Sequence, residues 1–385
     1  MAETQTPKRK TDDDIEVEVA PETAVPRWGA ATPVVVTVAI WIVSVVTWWL
    51  LGDPKWSPFG ASQAAVGALL FWAILAFIFT GFTFGNWPFN RLSQPVAGLA
   101  QLAFDVGLAF VAVWLFSFGI GSWDPTFSHS AAGGAGFTAA AFVVLIGFYA
   151  YALVAASWGG YPFEALPQPT AGLAQFFLAA FITLVGVVVL IYPNFSAALA
   201  KDAPIALPAA LGWVYDSIVV LLLAAMLWEN WPWSMIGNRH LRALGAVVVS
   251  LVGGLVLFAA FKGVVKAVVP ADIRALKSFS LNSEAAQLGV CFSLWSLTWG
   301  LVWGSPPQSL GTVANRIVRT VIVTVLSVAT YVGFMRGFAT KALHFASLKG
   351  SYGGSPLVWM DWVILVLLWY AVAFGGFLSV RRKAS

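Results

Sequence analysis

The sequence predicts an all-α polytopic integral membrane protein of about ten transmembrane helices containing four parallel two-helix repeats. Hydrophobic residues make up 59% of the 385 and charged residues only 10%, against about 25% charged in a soluble domain. Ten segments are apolar enough and long enough to cross about 30 Å of hydrocarbon, which takes roughly 20 residues each. A proline-aromatic segment recurs between apolar runs, its starts spaced 74, 70 and 74 residues apart. A fixed period of this length marks one structural unit used repeatedly.

Residues 1–27 carry a basic cluster at Lys8, Arg9 and Lys10, then Asp12 to Asp14, and few apolar residues. They are expected to be a disordered cytoplasmic tail. No cleavable signal is expected, since no small-residue cleavage site follows an apolar core ahead of the first span. Apolar runs at 31–51 and 61–84 give the first two helices. Next comes Asn86 to Gln101 (NWPFNRLSQPVAGLAQ), which matches Gly160 to Gln175 (GYPFEALPQPTAGLAQ) at 10 of 16 positions. Proline lacks a backbone donor and restricts the residue before it, so Pro88 and Pro95, like Pro162 and Pro169, bracket a non-helical turn. Trp87, Phe89, Tyr161, Phe163, Trp231 and Trp233 are expected at headgroup level, where amphipathic rings concentrate. Small residues after the turn, Ala97 and Gly98 or Ala171 and Gly172, allow close helix approach.

Helices at 94–120, 133–157, 169–192 and 205–228 follow, then a third turn from Asn230 and a helix at 240–264. A charged connection at 265–283 leads to helices at 284–303 and 311–335, separated by a fourth turn from Gly304, and a last helix spans 355–379. The repeat units are thus 61–120, 133–192, 205–264 and 284–335, within one transmembrane domain of 28–385, and helices 31–51 and 355–379 flank them without a copy of the turn. Two helices per unit make the units enter the membrane in the same sense, related by a rotation about its normal. With both termini cytoplasmic, that side collects 12 Lys/Arg and the other 9. The excess, together with charges flanking the end helices, orients termini and turns inward, in a bacterial cytoplasmic membrane.

Aligned units put Gly98, Gly172, Arg242 and Arg316 at one position, and Gln101, Gln175, Gly245 and Arg319 three residues on. Asp105 and Asp216 lie about ten residues into their helices, about 15 Å deep at roughly 1.5 Å per residue. Ionisable groups at such depth mark solute or ion pathways. Arg316 and Arg319 are the partners expected for these aspartates. The candidate pathway therefore comprises Asp105, Asp216, Arg316, Arg319, Gln101, Gln175 and Arg242, the carboxylates binding a coupling proton or cation and the arginines an anionic group. Set beside it is a bland reading: packing carboxylates, snorkelling arginines and interhelical amide bonds. Glu229, Glu284 and Asp361 fall at helix ends, where solvation or a favourable helix dipole is expected to account for them. Trp295, Trp299 and Trp303 share one stripe of their helix, as an aromatic contact for solute or as packing.

Histidine occurs only at 129, 240 and 344, and the single cysteine is Cys291. No metal site, cofactor or internal disulfide is expected. No catalytic signature appears, so the chain is not expected to be an enzyme, and its scattered basic residues do not suit a nucleic-acid partner. The expected function is transport of a small solute, anionic or aromatic, with lipid and a possible homo-oligomer or membrane subunit as partners. A non-transporting membrane subunit or assembly scaffold is the alternative, and a membrane-embedded enzyme the third.

Overall fold

The computed structural model describes residues 24–26, 29–196, 198–377 and 380–382. It is an all-α membrane protein with ten helices long and apolar enough to span a bilayer: α1 (Gly29–Leu51), α2 (Gln63–Thr83), α3 (Val96–Ser122), α4 (Ala132–Ser157), α5 (Thr170–Phe195), α6 (Leu207–Leu227), α7 (Arg239–Val268), α8 (Leu281–Val302), α9 (Thr312–Ala342) and α10 (Pro356–Ala373). Of the expected tail, residues 1–23 and 27 lie outside the described residues. Within it, β1 (Ala24–Pro26) pairs antiparallel with a second strand, Val380–Arg382, which brings the segment before α1 to the segment after α10.

Even and odd helices have different surroundings. Within their most apolar windows α2, α4, α6, α8 and α10 are 56–72% buried, whereas α1, α3, α5, α7 and α9 are 22–28% buried. The even helices form a closed inner ring in which α2 packs on α4, α4 on α6, α6 on α8, α8 on α10 and α10 back on α2. The odd helices lie outside it, in grooves between inner helices: α3 on α2 and the end of α10, α5 on α4 and the end of α2, α7 on α6, α8 and the end of α4, α9 on α8 and α6, and α1 on α10 and the end of α8. Lipid supplies no hydrophobic drive between helices, so close packing around small residues holds such a bundle. Leu75 of α2 fills the space that a side chain at Gly147 of α4 would take, and Ser217 of α6 does the same at Gly254 of α7.

Every inner helix ends in the same way. The backbone N–H of residues 84, 158, 228, 303 and 374 donates to the carbonyl five residues earlier, and the N–H of 86, 160, 230, 305 and 376 to the carbonyl six earlier. The two residues at each end, Gly85–Asn86, Gly159–Gly160, Glu229–Asn230, Gly304–Ser305 and Gly375–Gly376, have positive φ, which terminates a helix while satisfying its last carbonyls. This changes the sequence reading twice. The counterpart of Asn86 in the fourth turn is Ser305, one residue beyond the expected Gly304, and α10 carries a fifth such end beyond the four expected turns. The fifth is hard to see because Phe377 and its successors include no proline, although the backbone bonds persist.

The residue just before each positive-φ pair is aromatic: Phe84, Trp158, Trp228, Trp303 and Phe374. Each packs against an outer helix. Phe84 and Phe374 occupy the space beside Gly172 of α5 and Gly98 of α3, where an added Cβ would come within 2.5 and 2.4 Å of the ring. The three indoles donate instead, Trp158 to the Ala243 carbonyl of α7, Trp228 to Thr320 Oγ1 of α9, and Trp303 to Thr37 Oγ1 of α1. Because Trp303 meets α1 as Trp228 meets α9, the first helix fills the last groove of the ring. Of the turn aromatics expected at headgroup level, Trp233 is instead buried in the protein.

Candidate functional site

The inner ring encloses a cavity of about 180 Å³ at the end opposite the five aromatic turns. Its wall comes from the first turns of four inner helices, including Gln63 and Gly67 of α2, Thr138 of α4, Leu211 of α6 and Leu357 of α10. Phe71 of α2 and Phe148 of α4 line its deep end and meet edge to face, centroids 6.5 Å apart. Phe71 lies eight residues into α2, which is about 12 Å of helix. The cavity is therefore a vestibule reaching partway along the ring, with the Phe71–Phe148 pair and the Leu75–Gly147 contact packed beyond it.

Tyr215 of α6 also lines the vestibule. Its hydroxyl donates to Asp361 Oδ1 of α10 at 3.2 Å, and Asp361 is buried. Leu357 and Val358, one helical turn before Asp361, are vestibule wall. This overturns the expectation of a solvated helix-end charge. The sequence held one signal that could have found it: Asp361 is the only acidic or basic residue in the tenth apolar run. Glu284 is likewise buried and accepts a hydrogen bond from Tyr331 of α9. Its place in the first turn of α8 is where the helix dipole favours an acidic group, so the dipole and not solvation accounts for it.

The expected pathway residues do not gather at one place. Asp105 is buried on outer helix α3, where it accepts from Thr80 Oγ1 of α2 at 2.9 Å and from the Trp369 indole of α10 at 3.4 Å. Gln101 extends this network by donating to the same Thr80 hydroxyl at 2.9 Å. Asp216 of α6 is fully buried against α8, where a Cβ at Gly289 would come within 2.5 Å of its Oδ1. Neither of its carboxyl oxygens has a hydrogen-bond partner among the described residues. Gln175 is buried beneath the second turn, against Gly160. None of these four residues lines the vestibule.

The arginines pair elsewhere than expected. Arg316 Nη2 lies 3.0 Å from Glu229 Oε2, and Arg319 Nη1 3.3 Å from Glu229 Oε1. Neither arginine reaches an aspartate. Arg319 is buried, and its guanidinium also donates to the Leu227 carbonyl at 3.0 Å and, through Nη2, to the Pro307 carbonyl at 2.8 Å. It caps the end of α6 and fastens the fourth turn to it. Its buried position in α9 corresponds to Gln101 in α3 and Gln175 in α5, whereas α7 buries Ala246 there instead of the aligned Gly245. The hydrogen bond from Arg316 holds the Glu229 carboxyl below its ordinary range, and Arg319 adds to the effect. Arg242 donates to the Ile236 carbonyl, beside the surface ion pair Arg239–Glu164.

The tryptophan stripe packs against protein. Trp299 and Trp303 stack on each other with centroids 5.0 Å apart, and the indoles of Trp295, Trp299 and Trp303 donate to Thr330, Pro306 and Thr37 respectively. Among the described residues no group of three His, Cys, Asp or Glu could hold a metal. The arrangement offers an apolar, aromatic vestibule with Gln63, Thr138 and Tyr215 as its polar points, and behind it a buried carboxyl. No protein-family model, curated protein or solved structure matches this chain.

Proposed function

We propose that this chain is a membrane transporter or channel for a small solute, whose path runs along the axis of the inner ring. The observation carrying the reading is the vestibule itself: a ligand-sized, mostly apolar space with a few polar groups is the usual form of a small-molecule site. Its volume of about 180 Å³ compares with the roughly 150 Å³ of an engineered apolar cavity that takes up benzene. Together with Phe71, Phe142, Phe148 and Tyr215 on the wall, this favours a solute with one aromatic ring over a small inorganic anion, since Arg316 and Arg319 are engaged with Glu229 at the opposite end.

In this reading the units are five, not four, related by rotation about the membrane normal. The fifth consists of α10 and, across the paired strands, α1. Termini and turns face the cytoplasm and the vestibule faces outward. Asp105, Asp216, Gln101 and Gln175 then support the ring from behind, and no catalytic step is assigned.

A non-transporting scaffold is the second reading. It is favoured by a basic sector beside the vestibule end, where Lys266, Arg274, Lys277, Arg336 and Lys341 are exposed and suit an acidic partner. Uptake of labelled benzoate and of chloride into vesicles containing the purified protein separates the readings. The transport reading expects benzoate uptake above protein-free vesicles and its loss in Gly67→Trp, which fills the vestibule. Equal uptake with and without protein for both solutes, in a preparation that unfolds cooperatively, would leave the scaffold reading ahead.

A further inference from the structure

The deepest polar group that the vestibule reaches is the Tyr215–Asp361 pair. Tyr215 is shared between two environments, its side chain forming vestibule wall while its hydroxyl donates to Asp361 across the α6–α10 contact. Burying a charge is expensive unless it is paired, and Asp361 has only this phenol and no cation as its described partner. Among the described residues its other neighbours offer no countercharge: α9 meets α10 at Phe338 and Trp359, with Tyr331 bonded to Glu284 and Arg336 and Lys341 exposed. From α8 the nearest titratable group is the Cys291 thiol, which is buried. The spans α1 and α2, also packed on α10, contain no titratable residue. Asp105 of α3 meets α10 two turns further on, at Trp369, and Asp216 of α6 faces Gly289 of α8. Asp361 is thus a buried carboxyl with one neutral donor, one helical turn below an apolar vestibule.

We propose that Asp361 is a proton-binding site reached from the vestibule past Tyr215, and that its proton is the coupling ion of the transport cycle. The coupling clause rests on the transport reading above; the proton site does not. In the proposed step, one O–H bond of a hydronium ion in the vestibule breaks, leaving water, one O–H bond forms on the Asp361 carboxylate, and Tyr215 keeps donating. Loss of the carboxylate charge changes how tightly α6 and α10 hold together, which links protonation to the shape of the ring. A solute moving on the same axis would meet that change.

The test needs no solute. Infrared difference spectra between alkaline and acidic buffer, on purified protein in lipid vesicles, should show the high-frequency carbonyl band of a weakly hydrogen-bonded carboxylic acid. The band should be lost in Asp361→Asn, displaced in Tyr215→Phe and retained in Asp216→Asn. In D2O its isotope shift should be delayed by Gly67→Trp. If Asp361→Asn does not fold, Tyr215→Phe decides alone, because it keeps the carboxyl and removes its donor. A wild type without the band, a band that survives in Asp361→Asn, one unmoved in Tyr215→Phe, or an isotope shift indifferent to Gly67→Trp overturns the proposal. The two readings fail separately: benzoate uptake without the band removes the proton site and leaves transport, whereas the band without uptake removes transport and the coupling clause with it.

Discussion

The seating of α3 against α10 can be tested at one glycine. Phe374 lies beside Gly98 so closely that a Cβ built at position 98 would stand 2.4 Å from Cδ1 and 2.6 Å from Cγ. Carbon atoms sit comfortably at about 3.5–4.0 Å, so Gly98→Ala forces a displacement of about 1 Å between α3 and the end of α10. Overpacking of this kind destabilises by about 1–3 kcal/mol. Against it, replacing glycine by alanine within a helix gains roughly 0.5–1 kcal/mol. The two terms separate in a double-mutant cycle, since Phe374→Ala removes the clash and leaves the helix preference. Gly98→Ala is therefore expected to destabilise the wild type, to stabilise the Phe374→Ala variant, and to show a coupling of about 1–3 kcal/mol. Unfolding by denaturing detergent in mixed micelles, followed by tryptophan fluorescence, measures each corner. A Gly98→Ala effect of the same sign and size in both backgrounds would refute the α3–α10 contact, and with it the seating of α3 in the groove where α10 meets α2.

Three further outcomes follow from the turn face. Arg319→Gln strands the Leu227 and Pro307 carbonyls, at about 1–3 kcal/mol for each buried group left unpaired, and should destabilise far more than Arg316→Gln in the same unfolding assay. Glu229 is held below its ordinary value of 4.5 by Arg316 and Arg319, so its contribution is complete above that value and fades as pH falls through the lowered one. Because the side chain is 57% exposed, the effect should stay under about 1 kcal/mol, and a pH series should show it absent in Glu229→Gln. Trp299→Phe should cost about 1 kcal/mol for the lost indole bond to Pro306 while leaving benzoate uptake at the wild-type level; loss of uptake in a stable variant would return the tryptophan stripe to the solute path.

The ten spans were legible because each crossing needs a long apolar run, whatever surrounds it. Which of them form the inner ring was not. Outer α5 and inner α2 have mean hydropathies of 2.6 and 2.3, and inner α8 only 1.3. Lipid is as apolar as a protein interior, so a membrane helix needs no polar outer face to reveal its position. The turns were legible where proline followed them and illegible at Gly375–Gly376, where only the backbone keeps the pattern. Pairing was the least accessible feature. Arg319 meets Glu229 because the sixth helix ends in a positive-φ turn beside the groove that α9 fills, a proximity set by ring order and not by sequence distance. Asp361 was misplaced for a related reason. It is only five residues from the start of α10, but the helix faces the ring from its first turn.

The central claim is that solute moves along the axis of the inner ring. It is tested most directly with single cysteines at Gly67, Leu211 and Val358 in a Cys291→Ser background, modified from the water by a bulky impermeant thiol reagent in vesicles that take up benzoate. Modification at these vestibule positions should block uptake, and modification at Ser130, exposed in the α3–α4 loop, should leave it unchanged. Full modification at all three vestibule positions with undiminished uptake would contradict an axial path.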